Sequence, residues 1–455
     1  MSNTRRQFLK SSATTGTALS LPLFWQKAQG GRQEANDRRT VASVGVGGSR
    51  GRYSRGGSIA MQASKLGQTI AVCDVDAKHN DEFNAKFDNQ LYMFTDYRDL
   101  LEKTRPDIVT IGTPDHWHAP IAIAAMRAGA DVYCEKPLTL TIEEGQRISE
   151  VVKETGKVFQ VGTQQRSEYE GRFLQAVAMI REGYIGDKVT AHVAIGGAPV
   201  GGPFEATAAP PELDWNMWLG PAPEALYMEE RRKIFRWFFE YSGGKMTDWG
   251  AHHIDIAHWA LGNENTGPVR IKADGTFPPT IPEGFDFSRW LAGEILLPNG
   301  FNAPVTFNIG LDFANGTKIT VHHRYVSEDG KTEFPNGILF EGSKGRIMVN
   351  RGKITGSPVE DLTKSDTQKL NDVIAGLYGG EPTGHMQNFF DCIDSREDPV
   401  SDVHTHHRSM TSCHMCNIAL MLQRELRWDP DREEFIGDEQ ANAMRTRPSR
   451  PGFSA

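Results

Sequence analysis

The sequence has little of what a disulfide-stapled, membrane-spanning or nucleic-acid-binding protein would need. Its 455 residues contain five cysteines, too few and too scattered for a disulfide framework: Cys73, Cys134, Cys392, Cys413 and Cys416. No apolar run reaches the roughly 18 residues of a membrane span. The 50 basic and 58 acidic side chains give a net charge of −8, so no basic excess argues for nucleic acid. What remains is an ordinary globular composition, long enough for two or three domains.

The first 30 residues are predicted to be an export signal. Residues 4–10 read Thr-Arg-Arg-Gln-Phe-Leu-Lys, an order typical of twin-arginine signals. A mild apolar stretch at 13–25 and a small-residue site at 28–30 complete the pattern, and 31–38 are predicted to be a linker. Because this route moves folded proteins, we expect a periplasmic or otherwise extracytoplasmic protein that holds its cofactor tightly.

A dinucleotide-binding unit is predicted next. A buried-type strand at 40–44 runs into a glycine-rich loop at 45–51, and a helix at 58–65 leads to a second strand that ends at Asp74. Gly45, Gly47, Gly48, Ser49 and Arg50 would hold the pyrophosphate at the helix N-terminus. Asp74 would bind the ribose diol and repel a 2′-phosphate, which favours NAD. Arg50 and Arg52 keep NADP as the alternative.

The glycine pattern departs from the usual fingerprint at its third position. Arg50 stands where the third glycine is expected, and Gly51 follows it. Either the loop is one residue longer, or the close contact between helix and strand is made elsewhere.

Strands and helices keep alternating up to residue 161, which predicts a doubly wound parallel sheet. The strand at 132–134 ends in Glu135-Lys136-Pro137, where Pro137 favours an extended Lys136. Ligands of such sheets bind at the carboxyl ends of the strands. We therefore assign the following strand-exit residues to the cofactor: Thr113, Pro114, His118, Glu135, Lys136 and Gln165.

Five motifs in this order resemble the Gfo/Idh/MocA family of oxidoreductases. They are the glycine loop, Asp-Val-Asp at 74–76, Thr-Pro-Asp-His-Trp-His at 113–118, Cys-Glu-Lys-Pro at 134–137 and Val-Gly-Thr-Gln-Gln-Arg at 161–166. The resemblance runs from about residue 40 to about residue 430. It implies an NAD(P)-binding domain at 39–164, a substrate-binding and oligomerisation domain at 165–428, and a surface tail at 429–455.

The second half supplies a candidate acid–base pair. A helix is expected from about residue 247, which would place Asp248 and His252 on one face, with Asp255 three residues further. A carboxylate beside an imidazole fixes the ring tautomer and suits acid–base work, but it can equally tie down a buried helix end.

The family resemblance implies that Asp248 and His252 meet Lys136 across the nicotinamide. We then assign His252 as the base and Lys136 as the cation that holds the hydroxyl oxygen or shares its proton. Asp248 would orient the site or bind substrate. Arg166, Arg236 and Trp237 are the expected substrate contacts.

From residue 268 the sequence becomes rich in β structure. Strands are predicted at 269–277, 290–297, 305–313, 318–325, 337–340 and 346–350. They indicate an α+β domain with a large, open, mainly antiparallel sheet, whose uncovered face would pair chains into a dimer or tetramer. Closing helices are predicted at 385–394 and 405–427. Cys413 and Cys416, and His404, His406 and His407, are interpreted as structural rather than metal-binding.

Two functions remain open. The leading prediction is an exported oxidoreductase that transfers a hydride between NAD and a sugar, polyol or glycoside hydroxyl. The alternative is an NAD-dependent glycosidase that oxidises a ring carbon transiently. The Gly-Gly-Asn-Leu-Tyr-Pro-Thr-His run of such glycosidases is not what stands at 243–252.

Overall fold

We describe a computed structural model of the chain over residues 38–48 and 54–453. The predicted export signal, the linker up to residue 37, and Ser49 and Arg50 lie outside the described residues. The two large sheets both belong to the compact unit that begins at Arg39. No helix within the described ranges is long and apolar enough to cross a membrane.

The first sheet has six parallel strands in the order β3-β2-β1-β4-β5-β6, which is the order of a Rossmann fold. The prediction of a doubly wound parallel sheet is confirmed, although it missed the short strand β3. Strands β4 and β5 are buried along their whole length, as expected where helices cover both faces. The strands are β1 (Thr40–Val44), β2 (Gln68–Cys73), β3 (Tyr92–Phe94), β4 (Ile108–Ile111), β5 (Asp131–Glu135) and β6 (Phe159–Gly162).

Side-chain caps fix the starts of several helices in this half. Thr141 and Glu144 form a capping box at the start of α5, and Gly156 ends that helix at φ 63°. Ser54 caps α1 by accepting a hydrogen bond from the Gly57 N–H. The helices are α1 (Arg55–Leu66), α2 (Ala77–Asn84), α3 (Tyr97–Thr104), α4 (His118–Arg127) and α5 (Ile142–Thr155).

The second sheet has nine strands in the order β15-β14-β13-β7-β10-β9-β8-β16-β17. Only β7 and β10 pair in parallel, so the prediction of a mainly antiparallel sheet is confirmed. Two further strands form a separate ribbon, β11 (Tyr325–Val326) and β12 (Glu333–Phe334). The nine strands are β7 (Thr190–Ala194), β8 (Arg270–Thr276), β9 (Thr306–Asp312), β10 (Lys318–His322), β13 (Gly337–Gly342), β14 (Gly345–Val349), β15 (Ile354–Thr355), β16 (Leu426–Asp429) and β17 (Glu434–Phe435).

Helices cover one face of this sheet. In β9, Phe307, Ile309 and Leu311 are buried and alternate with more accessible residues on the other face. The helices of this half are α6 (Arg172–Arg181), α7 (Trp215–Leu219), α8 (Glu229–Lys233), α9 (Gly244–Asp248), α10 (Gly250–Ala260), α11 (Phe287–Leu291), α12 (Ser357–Glu360), α13 (Lys364–Tyr378), α14 (His385–Ser395), α15 (Val403–Leu422) and α16 (Glu439–Ala443).

The strand predicted at 290–297 is wrong. Asp286 accepts hydrogen bonds from the N–H groups of Ser288 and Arg289, which starts helix α11 before the apolar run. Gly293 then takes φ 78° and ends the turn. A local capping interaction therefore overrides the β-type composition of this segment.

The C-terminal tail is not a surface appendage. Strands β16 and β17 extend the nine-stranded sheet, and Trp428 and Phe435 are each only 1% exposed. Further along, Arg450 donates a hydrogen bond to the Gly220 carbonyl at 2.7 Å. The prediction of a surface tail was based on its mostly polar composition, and it overlooked the apolar residues that anchor the tail.

The third glycine contact of the dinucleotide fold is made by Gly56. A Cβ atom at Gly56 would lie 1.7 Å from the Gly45 carbonyl oxygen, and one at Gly112 would lie 2.3 Å from the Gly56 Cα. Helix α1 therefore approaches the loop and the end of β4 more closely than a side chain would allow. The glycine loop is longer than in the usual fingerprint, so the third close glycine contact falls after the loop, at Gly56.

We predict that Gly56→Ala destabilises the protein by about 2 kcal/mol or more, because the added methyl group overlaps backbone atoms. Gly376→Ala is the matched control, since nothing lies within 4 Å of that position in α13. It should raise stability by roughly 0.5–1 kcal/mol. Thermal unfolding of both variants checks this, and equal shifts for the two would contradict the close contact.

Candidate active site

A cavity of about 550 Å³ lies where the strands of the first sheet end, against residues of the second half of the chain. Its wall on the sheet side comes from the ends of β1, β2, β4 and β5. Its opposite wall comes from the segment around Trp237, from the junction of α9 and α10, and from Arg351. A crevice at the carboxyl ends of parallel strands is where dinucleotide folds bind their ligand.

The glycine loop and Asp74 form the nucleotide end of this cavity. Asp74 Oδ2 accepts hydrogen bonds from the N–H groups of Val46 at 3.0 Å and Gly47 at 2.9 Å. A Cβ at Gly47 would meet the His79 ring at 1.7 Å, so only glycine fits there. Gly45 takes φ 77° and Gly48 also lines the cavity. A glycine-rich loop beside a carboxylate fits NAD; the bond from Asp74 to a ribose stays a prediction.

His79 is a nucleotide-end residue that the sequence did not reveal. Its Nδ1 lies 3.3 Å from Asp74 Oδ1. Burial lowers the pKa of His79, but the hydrogen bond to Asp74 and the charges of Asp74 and Asp76 outweigh burial and raise it. The sequence signal that could have identified His79 is the Asp-Val-Asp motif directly before α2.

The strand exits divide into cavity residues and supports. Thr113 and Pro114 line the cavity, and their contact with a cofactor stays a prediction. His118 does not line it: its ring lies between the Pro137 carbonyl at 2.6 Å and the Thr113 carbonyl at 3.0 Å, and it is 1% exposed. His118 thus holds the two exit loops together instead of facing a ligand.

Glu135 lies at the centre of a hydrogen-bonded group at the end of β5. Its Oε1 accepts from Arg55 Nε at 2.7 Å and from Gln164 Nε2 at 2.9 Å, and all three side chains line the cavity. Gln165, which we had assigned to the cofactor, points away, with Oε1 3.2 Å from His253 Nδ1. Residues Gln164–Arg166 form a 3-10 turn, in which neighbouring side chains point in different directions. The sequence motif therefore located the turn, but it did not show which of its residues faces the cavity.

The assignment of Arg166 to the substrate is corrected by its position. Its Nε and Nη2 each lie 2.7 Å from a carboxylate oxygen of Asp255, and the side chain is 2% exposed. Burial raises the pKa of Asp255, but the charge of Arg166 outweighs burial and holds that pKa well below its usual range. This pair is a core ion pair away from the cavity wall.

Lys136 and Asp248 join the two walls of the cavity. Lys136 Nζ donates to Asp248 Oδ1 at 2.5 Å and to the Asp248 carbonyl oxygen at 3.1 Å. Arg236 Nε donates to the same carboxylate oxygen at 3.2 Å. Burial raises the pKa of Asp248, but the charges of Lys136 and Arg236 prevail and keep it well below its usual range. Asp248 is therefore an anion between two cations. Arg236 and Trp237 both line the cavity, and their contact with a substrate stays a prediction.

The expected pairing of Asp248 with His252 is wrong. Helix α9 ends at Asp248 and α10 begins at Gly250, so Trp249 interrupts the single helix that would align them. Within the described part of the chain, no hydrogen bond joins Asp248 to His252, and His252 Nδ1 is buried without a partner. The carboxylate serves Lys136 instead.

His252 still lines the cavity. Burial, then the charges of Lys136 and Arg351, lower its pKa well below the ordinary value of 6.5. The imidazole is therefore neutral near pH 7 and ready to accept a proton, although it is a weaker base than an ordinary histidine.

Asp115 is a further ionisable group that the sequence reasoning missed. Its Oδ2 accepts a hydrogen bond from Ser242 Oγ at 2.5 Å, and it lines the cavity beside Arg236. Burial raises its pKa to about 6, although the charge of Arg236 opposes the rise. Asp115 directly follows Thr113 and Pro114, which the sequence assigns to the site, and this position could have identified it as a site residue.

The first sheet, its glycine loop and the crevice at its strand ends define an NAD-binding oxidoreductase fold. The chain belongs to the Gfo/Idh/MocA oxidoreductase family. Residues 39–163 match the family's NAD-binding Rossmann fold, and residues 202–291 and 305–455 match its C-terminal alpha/beta domain.

Two curated relatives match in part. Inositol 2-dehydrogenase from Salmonella typhimurium is 27% identical over 205 residues, 45% of this chain and 49% of the relative. A glycosyl hydrolase family 109 protein from Shewanella putrefaciens is 38% identical over 91 residues, 20% of this chain and 19% of the relative. The alignments thus span about half, or less, of the length of these relatives.

A solved structure matches most of the chain. The WlbA dehydrogenase from Bordetella pertussis, in complex with NADH and UDP-GlcNAcA, aligns with a TM-score of 0.56 at 17% identity. The alignment covers 86% of this chain and 99% of that one. At this identity the likeness supports the fold.

We predict that the carboxyl of Asp115 titrates near pH 6 and that His252 stays neutral through the neutral range. A raised carboxyl pKa means that Asp115 takes up its proton as the pH falls through about 6; at pH 5 roughly ten molecules would be protonated for each ionised one. NMR of protein with labelled aspartate and histidine measures both groups, with Asp115→Asn and His252→Gln used for assignment. An Asp115 that titrates near 3.8, or a His252 that titrates near 6.5, would contradict these electrostatics.

Proposed function

We propose that the protein is an NAD-dependent oxidoreductase that acts on a CH–OH group of a carbohydrate-like substrate. The observation that carries the proposal is the meeting of Lys136, Asp248 and His252 at one end of the nucleotide crevice. The relatives named as inositol 2-dehydrogenase and WlbA dehydrogenase support a polyol or sugar substrate. Arg236 and Trp237, on the same wall, are the proposed substrate contacts.

Each residue has a role in this proposal. His252 takes the proton of the substrate hydroxyl, for which its neutral imidazole is suited. Lys136 holds the hydroxyl oxygen and stabilises the negative charge that develops as the proton leaves. Asp248 fixes Lys136 through the 2.5 Å hydrogen bond. Bound NAD supplies the hydride acceptor.

Absorbance at about 340 nm, where reduced nicotinamide absorbs, tests the reaction. The purified protein is loaded with NAD and mixed with sugars and polyols. We expect one substrate to give stoichiometric reduction that persists until a carbonyl compound is added. Protein that binds no nucleotide would refute the proposal.

We predict that Lys136→Met and His252→Ala keep the nucleotide but lose turnover by about 100- to 10,000-fold, the range for removing a general acid or base. Lys153→Met, on the exposed side of α5, is the matched control and should retain the wild-type rate. Nucleotide retention and single-turnover rates are measured for all three. A Lys136 or His252 variant with near-full rate would remove that residue from the mechanism.

A second candidate is a redox-neutral glycosidase that uses NAD to oxidise a ring carbon transiently. The 91-residue similarity to a glycosyl hydrolase family 109 protein favours it. It predicts cleavage of an aryl glycoside with no net change in nucleotide absorbance. Persistent reduction by a free sugar favours the oxidoreductase instead.

We further propose export by the twin-arginine route, supported by the Arg-Arg pair at residues 5 and 6, and self-association through the accessible part of the sheet face opposite the helices, at β9 and β10. The accessible side of β9 and β10 supports such pairing. Cell fractionation tests the first and analytical ultracentrifugation the second.

A further inference from the structure

The cavity wall opposite the glycine loop carries two cations stacked on aromatic rings. Arg351 places its guanidinium carbon 4.6 Å from the centre of the Trp249 ring and 4.7 Å from the Tyr169 ring. Lys245 Nζ lies 5.6 Å from the centre of the Trp237 ring and 5.8 Å from that of Trp249. All five side chains line the cavity. Contact with ring faces holds both cations at defined positions on this wall.

These cations lie close to the proposed reacting groups. Trp249, which both cations contact, directly follows Asp248 in the chain, and its ring centre lies 6.0 Å from that of His252. The charge of Arg351 contributes to lowering the pKa of His252, and that of Lys245 contributes to lowering the pKa of Asp248. A ligand between Lys245 and Arg351 would therefore be a neighbour of the reacting carbon, not a distant surface contact.

The described residues that line this end of the cavity are predominantly basic. Its cations are Lys136, Arg236, Lys245 and Arg351, and its carboxylates are Asp115, Asp248 and Glu135, the last of which is paired with Arg55. Asp248 is already hydrogen-bonded to Lys136 and Arg236. Asp115, whose pKa burial raises to about 6, is still ionised at pH 7, but the charge of Arg236 beside it compensates its own. A neutral sugar needs no such field, whereas an anionic one gains from it.

We propose that the substrate carries an anionic group, a carboxylate or a phosphate ester, that binds to Lys245 and Arg351 beside Trp249. This inference rests on the proposed oxidation of a carbohydrate CH–OH group. A guanidinium presents paired N–H donors that match the oxygens of a carboxylate or phosphate, and an ammonium adds a point charge. The aromatic rings of Trp237 and Trp249 supply apolar surface for the C–H faces of the sugar. Lys245 and Arg351 would thus set specificity, while Lys136 and His252 act on the hydroxyl.

Calorimetric titration of the NAD-loaded protein with matched sugars tests the subsite directly. The set contains glucose, glucuronate and glucose 6-phosphate, with the galactose counterparts of each. We expect the anionic form to bind at least about 10-fold more tightly than its neutral counterpart. The form that binds more tightly, glucuronate or the phosphate ester, identifies the anion. Equal binding of neutral and anionic forms, or binding of neither anion, would overturn the subsite.

Variants separate the subsite from general damage. Lys245→Met and Arg351→Met should each weaken binding of the anionic sugar by about 10- to 100-fold and leave neutral sugars within about 3-fold. Arg346→Met is the matched control on the same hairpin, because its side chain is 60% exposed and lies outside the cavity. Equal losses for neutral and anionic sugars in the first two variants would refute the role. In the wild type, the preference for the anion should shrink as salt is added, which requires no variant.

The same titrations distinguish this inference from the proposed function. A sugar acid or phosphate that binds through Lys245 and Arg351 without reducing the nucleotide would uphold the subsite and refute the oxidoreductase. Reduction by a neutral sugar, unaffected by either variant, would uphold the oxidoreductase and refute the subsite.

Discussion

The ion pair between Lys136 and Asp248 is the contact on which the rest of the site depends. Lys136 follows β5 in the first half of the chain, and Asp248 ends α9 in the second. Both side chains are only 13% exposed, and the carboxylate is bound by both the lysine and Arg236. A largely buried charge without its partner is strongly destabilising, so this contact is stable only when the two halves meet in register. The contact that joins the two walls of the crevice therefore lies where the proposed reaction occurs.

Two buried ion pairs in this chain illustrate how position decides role. Arg166 and Asp255 are 2% and 1% exposed and bind each other through both carboxylate oxygens. Nothing is left over for a ligand, and the pair stabilises the core around α10. Lys136 and Asp248 line a cavity, and three hydrogen bonds converge on Asp248 from different elements. The cationic surroundings that hold Asp248 ionised also add to the burial that keeps His252 neutral.

Much of the first half could be predicted because its signals are local. Buried strands, helix caps and turn residues lie within a few positions of each other, as in α5, which begins at a capping box and ends at Gly156. Lys136 could be placed because parallel strands end at one edge of the sheet. Strand β3 was missed because it has three residues and little buried surface. Gly56 could not be identified as the third glycine contact because the loop before it is longer than the fingerprint.

The second half was harder because its contacts join residues far apart in the chain. Arg166 meets Asp255 across 89 positions, so a motif ending in arginine was read as a substrate contact. Trp249 breaks the helix that would have aligned Asp248 with His252, and no simple spacing rule anticipates such a break. Arg351 reaches the cavity from the β14–β15 hairpin, and nothing in its local sequence indicates a site.

A double-mutant cycle on Lys136 and Asp248 tests the central claim most directly. Single-turnover reduction of bound nucleotide is measured for wild type, Lys136→Met, Asp248→Asn and the double variant. If the two residues act as one unit across the crevice, the double variant should be little slower than the worse single variant, with a coupling energy of about 2 kcal/mol or more. Rate losses that simply add would show that the two side chains act independently, and would contradict the account.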